Sequence, residues 1–258
     1  YNPRREEYAV HSLYGLANFS YKEAYFIDAT LRVDWSSTLA SPIRNEVSPF
    51  FYPSLNGSVI LSQLFDLPKE ISFWKLRATV AGVGGGGKRP YLNAYTYQRL
   101  PQFPGGSANP TTIPDLNLKY ENTISYELGT DFRMFKNRMK VDMTVYKNYS
   151  YNQILETPID PSSGYRNQII NAGEVQNTGF ELEANYDIFK NKEGVSWSLF
   201  GNYTIYDTRI NELPNGVSNL VLSSIYGSRG TVEARVGGRF GDMYGLGYLR
   251  NNEGDIIY

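Results

Sequence analysis

Between Tyr25 and Trp35 the chain alternates without a break. Tyr25, Ile27, Ala29, Leu31, Val33 and Trp35 fall on one side of an extended backbone, and Asp28, Thr30, Arg32 and Asp34 fall on the other. A period of two held for this long specifies a β-strand, because a helix would scatter the same side chains around its axis. The polar side also carries full charges, and uncompensated charge is excluded from a dry protein core. Such a strand wants an apolar medium on one face and water on the other.

The pattern recurs along the chain. Trp74, Leu76, Ala78 and Val80 alternate with Lys75, Arg77 and Thr79, and Ile124, Tyr126 and Leu128 with Ser125, Glu127 and, further on, Asp131. Met139, Val141, Met143 and Val145 alternate with Lys140, Asp142 and Thr144; Phe180, Leu182, Ala184 and Tyr186 with Glu181, Glu183 and Asn185; Val195, Trp197 and Leu199 with Ser196 and Ser198. This predicts about eight strands, near residues 9–20, 24–36, 52–63, 72–82, 120–132, 138–151, 177–188 and 195–206, with room for a ninth after 230. No helical period competes. The runs cover ~10 to 13 residues, against ~5 to 6 for strands of soluble proteins and ~9 to 11 for a tilted membrane strand. The fold class is therefore all-β, and strand length favours a transmembrane barrel over a sandwich.

Composition removes other classes. Lys and Arg number 25 against 26 Asp and Glu, for a net charge of −1, so the basic excess of a nucleic-acid surface is missing. Cysteine is absent and His11 is the single histidine, which removes thiol catalysis, disulfide frameworks and metal or triad sites built on paired imidazoles. No stretch approaches the ~18 to 20 apolar residues of a spanning helix. The mean hydropathy of −0.41 does not exclude a barrel, whose alternating strands average to a polar value while one face stays greasy.

The connections alternate too. Short links fall at Lys22–Ala24, Phe65–Ile71, Phe135–Arg138 and Phe189–Gly194, and long ones at about 37–51, 83–119, 152–176 and 207–230. Outer-membrane barrels have short periplasmic turns and long extracellular loops, which orients the chain. Tyr25, Trp35, Phe132, Tyr186, Phe189 and Trp197 lie near strand ends, where interfacial aromatic girdles belong. On this reading Arg32, Asp34, Lys75, Arg77, Glu127, Asp131, Glu181 and Glu183 face a wet lumen.

Several motifs carry less than they promise. Gly82-Val83-Gly84-Gly85-Gly86-Gly87-Lys88 follows a strand as a phosphate-binding loop would, but Arg89 stands where Ser or Thr should hold magnesium, and Pro90 opens no helix. A flexible strand exit is the better reading. The carboxylates are regular members of polar strand faces rather than a catalytic pair, so no catalytic residue, cofactor or metal is assigned. The sequons at Asn18, Asn56, Asn148 and Asn202 fall mostly within strands. Loop 83–119 is richer: Tyr91, Tyr95, Tyr97 and Phe103 put rings on an external segment, suited to stacking against sugar or peptide or to simple loop packing.

Several blocks resemble the SusC/RagA-like TonB-dependent transporters of the Gram-negative outer membrane. They are Tyr21-Lys22 through Leu31-Arg32-Val33-Asp34-Trp35-Ser36-Ser37, Phe51-Tyr52-Pro53-Ser54-Leu55, Trp74-Lys75-Leu76-Arg77-Ala78, Tyr120-Glu121-Asn122-Thr123 through Asp131-Phe132, and Asn171-Ala172-Gly173-Glu174 through Gly179-Phe180-Glu181. Trp35 departs from the family's usual glycine, and Ala81-Gly82-Val83 from its Tyr-Gly run. The resemblance implies that 1–258 is one part of the β-barrel domain, some eight or nine strands of a larger, plugged barrel of ~22 strands. It places the signal peptide, TonB box, plug and closing strands outside this chain. It further implies active import of oligosaccharides or peptides, a SusD-like surface lipoprotein as partner, TonB acting through the plug, and outer-membrane lipid around the wall. A passive outer-membrane channel and a soluble all-β carbohydrate-binding protein remain the alternatives, separated by upstream sequence and by detergent-free solubility.

Overall fold

The structure is a computed structural model and describes residues 6–40, 43, 49–86, 89–100, 102–103, 105–171, 173–191, 194–224 and 230–257. Eight long strands form one sheet: β1 (Val10–Tyr21), β2 (Tyr25–Ser36), β3 (Phe50–Ile60), β4 (Ile71–Gly85), β5 (Glu121–Met134), β6 (Met139–Tyr151), β7 (Glu174–Phe189) and β8 (Trp197–Glu212). Each pairs antiparallel with the next in chain order. Among the described residues the helical elements are short 3-10 turns alone.

The alternation fixes the register, because a slip of one residue would turn every side chain to the wrong face. One row across the sheet reads Phe19, Ile27, Gly57, Ala78, Leu128, Val145, Phe180, Ile205. The adjacent row, on the opposite face, reads Asn18, Asp28, Asn56, Thr79, Glu127, Tyr146, Gly179, Tyr206.

At one end of the wall the turns are tight. Lys22 and Glu23 (φ 52° each) and Phe135, Lys136 and Asn137 (φ 53°, 57° and 65°) sit in the left-handed region, where turn twist matches the twist of paired strands at some cost for residues bearing Cβ. Aromatic pairs mark this end: Tyr21–Tyr25, Trp74–Phe132 and Phe189–Trp197, with centroids 6.3, 5.7 and 6.1 Å apart. The Trp74 indole N–H is satisfied by Thr130 Oγ1 at 3.0 Å. Toward the other end, Tyr126, Tyr149 and Tyr151 form a second belt on the same face. From Val141, opposite Phe132, to Tyr151 strand β6 runs ~33 Å, or ~25 Å in height at the usual tilt, which matches the apolar band of a membrane barrel.

At the long-loop end the connections pack on one another. Leu39, Phe50, Leu118 and Ile169 are buried together, with Tyr52, Leu92, Tyr120 and Ile154 against them. The 154–158 strand pairs with 167–171, which also takes 112–113 in parallel. The ninth strand expected after 230 is shorter than that reading: Gly230–Arg235 pairs with 219–224 and 242–245 in a separate small sheet. Gly237 (φ 83°) and Gly241 (φ 89°) turn the chain before a full-length strand can form. This sheet packs Leu220 and Ala234 on Ile210 and Leu213.

Candidate functional site

All eight charged residues expected on one face are placed there by the register. Arg77 shares a row with Gly129, Thr144 and Glu181, and Lys75 shares the next with Asp131, Asp142 and Glu183. Arg32 and Asp34 continue the face of Asp28, and Glu127 lies beside Thr79.

Several of these side chains satisfy one another. Asn18 and Asn56 donate to the two oxygens of Asp28 (2.6 and 3.1 Å), and Thr79 donates to Asn56 (2.9 Å), so one hydrogen-bonded rung crosses four strands. Arg77 grips Asp142 with both terminal nitrogens, at 2.8 and 2.6 Å, and Thr144 at 2.6 Å. To reach β6 its guanidinium lies across Gly129, where an added Cβ would sit 2.5 Å from Arg77 Nε; glycine leaves that path open without displacing the side chain. Arg32 pairs with Asp34 at 2.7 Å and Arg133 with Asp131 at 2.9 Å. Asp142 and Arg133 were not singled out from sequence, although alternation alone puts Asp142 on this face.

A broad, open trough of about 1140 Å³ crosses the opposite face, lined by Ile27, Leu55, Val80, Leu128, Val145 and Phe180 among others. Its lining is mostly carbon, which suits hydrocarbon, with Lys147 and the paired Asp207 and Arg239 also bordering it.

The loop end holds the second set of candidates. Tyr91, Tyr95, Tyr97 and Phe103 are all exposed, and among the described residues the structure makes no ring contact between them. Tyr91 (φ 66°) sits at the base, its hydroxyl donating to the Glu7 carbonyl at 3.4 Å. Tyr97 precedes a small hairpin in which Gln98–Arg99 pair with Ser107–Ala108, and Phe103 lies in the connection between those two strands.

Staples around this segment were not visible in the sequence. Thr38 Oγ1 donates to the Gly86 carbonyl (2.6 Å) and Asn93 Nδ2 to the Ala40 carbonyl (2.6 Å). Asn171 accepts from Lys119 N (2.8 Å) and donates to the carbonyls of Lys119 and Asn152 (2.9 and 2.8 Å). Glu156 accepts from Arg89, Thr112 and Asn167. The Arg89 guanidinium, with Asn167 and Thr112, holds the Glu156 carboxyl below its usual range against the opposing effect of partial burial. Only Asn171 had a sequence signal, through its place in the Asn-Ala-Gly block.

The glycine run differs from the flexible exit expected of it: Gly82 to Gly85 are paired strand residues opposite Ile124 to Glu121, so β4 runs three residues past the expected end; Gly87 and Lys88 lie outside the described residues. The four sequon asparagines all lie within strands β1, β3, β6 and β8.

Long antiparallel strands, apolar with aromatic belts on one face and charged on the other, with tight turns at one end and packed loops at the other, define the wall of an outer-membrane β-barrel. Residues 1–255 match the family described as TonB dependent receptor-like, beta-barrel, and the chain belongs to that family of receptors and transporters. TonB-dependent receptor P3 of Formosa agariphila is 26% identical over 244 residues, 92% of this chain and 24% of that protein. TonB-dependent receptor P26 of the same organism is 26% identical over 186 residues, 69% of this chain and 18% of that protein. The fold superposes on the RagAB peptide transporter with a TM-score of 0.78 at 21% identity, over 91% of this chain and 25% of that one. The chain thus spans about a quarter of the length of P3 and of the RagAB chain.

Proposed function

We propose that this chain is the barrel portion of an active outer-membrane importer of oligosaccharides or peptides, working with a SusD-like surface lipoprotein and with TonB. The observation that carries the proposal is the two-sided wall. One face offers lipid an apolar band between aromatic belts, and the other holds Arg32, Asp34, Lys75, Arg77, Glu127, Asp131, Glu181 and Glu183 toward a water-filled, plugged interior.

An eight-stranded open sheet would leave two strand edges in hydrocarbon, where each unpaired backbone group costs several kcal/mol. On this proposal further strands of a longer polypeptide close the barrel, and that polypeptide also supplies the plug and the TonB box. The packed loops form part of the extracellular mouth, with Tyr91, Tyr95, Tyr97 and Phe103 toward ligand or partner. Likeness of fold to a peptide transporter and membership of the TonB-dependent family both support import over passive conduction.

The test is a detergent extract of the outer membrane, with the intact mass of the native protein and the identity of whatever co-purifies. The reading requires a chain about four times as long as this one, as the 24% coverage of P3 implies, together with a surface lipoprotein. Uptake of labelled peptides and of labelled oligosaccharides, with and without TonB, then assigns the substrate class. A lone water-soluble species of 29.3 kDa would overturn the proposal.

A further inference from the structure

The segment from Arg89 to Thr112 carries all four exposed rings, and both of its ends meet one carboxylate. Arg89 Nη2 donates to Glu156 Oε2 at 2.8 Å, and Thr112 Oγ1 donates to Oε1 at 3.2 Å. Asn167 Nδ2 donates to the same Oε1 at 2.9 Å. Glu156 belongs to a different loop, 67 residues from Arg89 and 44 from Thr112. Its own strand is held: 154–158 pairs with 167–171, which in turn holds 112–113.

Near its ends the segment is also tied by Tyr91 Oη to the Glu7 carbonyl (3.4 Å), by Asn93 Nδ2 to the Ala40 carbonyl (2.6 Å) and by the Thr111 carbonyl, which accepts from Arg166 N (2.7 Å); between these ties, from Tyr95 to Ser107, the hydrogen bonds among the described residues are local. Leu100 N donates to the Gly106 carbonyl (3.0 Å) and Phe103 N to the Leu100 carbonyl (3.1 Å), beyond the small hairpin ladder. Tyr95, Tyr97 and Phe103 are 49, 68 and 65% exposed. A long segment with free ends samples a wide volume, and tying the ends together removes much of that freedom. Where the base is fixed therefore decides where the rings stand.

We propose that Glu156 is a positioning residue, a carboxylate clasp that grips both ends of the aromatic segment and sets where Tyr91, Tyr95, Tyr97 and Phe103 stand at the mouth. The proposal rests on the reading that this segment takes part in capture. The Arg89–Glu156 pair alone is weak, since its side chains are 55 and 33% exposed. The clasp arises from three donors, drawn from three stretches of chain, converging on one group.

The sequence contains no cysteine, so spin labels at Thr96→Cys and Ser162→Cys, in the full-length transporter freed of any cysteines elsewhere, report the segment's position in outer-membrane vesicles. The wild-type pair should give one narrow distance. Glu156→Ala should broaden it, and Glu156→Gln, whose amide oxygen still accepts from Thr112 and Asn167, should keep most of the narrow population. An unchanged distribution in Glu156→Ala overturns the clasp. Equal broadening in both variants overturns a grip on both ends, leaving Arg89 as the sole hold.

Uptake of a fluorescein-labelled peptide pool supplies the functional readout. Glu156→Ala should raise the half-saturating concentration ~5-fold, the scale of a lost surface hydrogen bond or two, at unchanged maximal rate; a fall in maximal rate alone overturns the positioning role. Tyr97→Ala with Phe103→Ala tests the capture reading itself: no change in half-saturation there sinks that reading, while the distance measurement still decides the clasp.

Discussion

The strand wall and the loop cluster at its long-loop end are built by different means from the same chain. In the wall every strand pairs with its sequence neighbour, and one rule, alternation, sorts the side chains of all eight strands onto two faces. In the loop cluster Leu39, Phe50, Leu118 and Ile169 meet from three separate connections, and single side chains such as Asn171 and Glu156 tie the pieces. The wall tolerates change so long as the pattern survives. The cluster depends on particular atoms.

The largest expected effect tests whether the two regions are separable. Phe50 stands at the top of β3 but its ring is buried in the loop core, 5.5 Å from Tyr52 and 5.6 Å from Tyr120. Phe50→Ala should cost ~3–5 kcal/mol of local stability. Cleavage by trypsin near Lys119 and Arg166 should rise sharply, while the heat-modifiable gel mobility that reports the intact barrel is retained. Loss of both together would show that wall and cluster melt as one unit.

Next comes a charge on the greasy face. Leu128 lies in mid-row between Ala78 and Val145, so Leu128→Arg should cost ~2–4 kcal/mol in a bilayer, whereas Glu127→Gln, one residue away on the charged face, should be nearly neutral. Urea titrations of the protein refolded into lipid vesicles measure both. Equal costs would remove the distinction between the faces.

A third comparison uses glycine. At Gly173 an added Cβ would run into the backbone carbonyl of Glu212, with Leu213 N at 2.8 Å, while at Gly129 it would meet the guanidinium of Arg77. Backbone cannot step aside and a long side chain can. Gly173→Ala is therefore expected to cost ~1–3 kcal/mol and Gly129→Ala less, by the same titration. The reverse order would mean that the Arg77–Asp142 grip is worth more than the close packing of the loop base.

Most of the wall was legible in the sequence for a simple reason. Each strand's signal is local, and the ends agree with expectation to within a few residues for β1 to β7; β8 runs on to Glu212, past the expected 206, because Asp207 to Glu212 alternate too weakly to register. The charged positions followed from the same period. The loop cluster was not legible, because nothing in Glu156-Thr157-Pro158 or in Arg89-Pro90-Tyr91 announces that the two will meet. Tyr95, Tyr97 and Phe103 could be picked out by residue type, but the staples that hold their flanks join residues dozens apart and have no period.

The smallest expected effect is a pH dependence confined to the cluster. The carboxyl of Glu156 is held below its ordinary value of 4.5, first by the Arg89 guanidinium and then by Asn167 and Thr112. A carboxylate whose pKa is lower folded than unfolded stabilises the fold above the unfolded value and loses that contribution as pH falls through the folded one. Among the described residues the charge acting on it is that of Arg89, which stays protonated throughout. Protection of the loops from an acid-stable protease should thus be flat from pH 7 to about 5 and weaken below about 4.5, while the wall's gel mobility does not change. Glu156→Gln cannot titrate, so it should start less protected at neutral pH and lose this share of the acid sensitivity. If wild type and Glu156→Gln weaken in parallel down to pH 3, the acid response of the cluster belongs to other carboxylates.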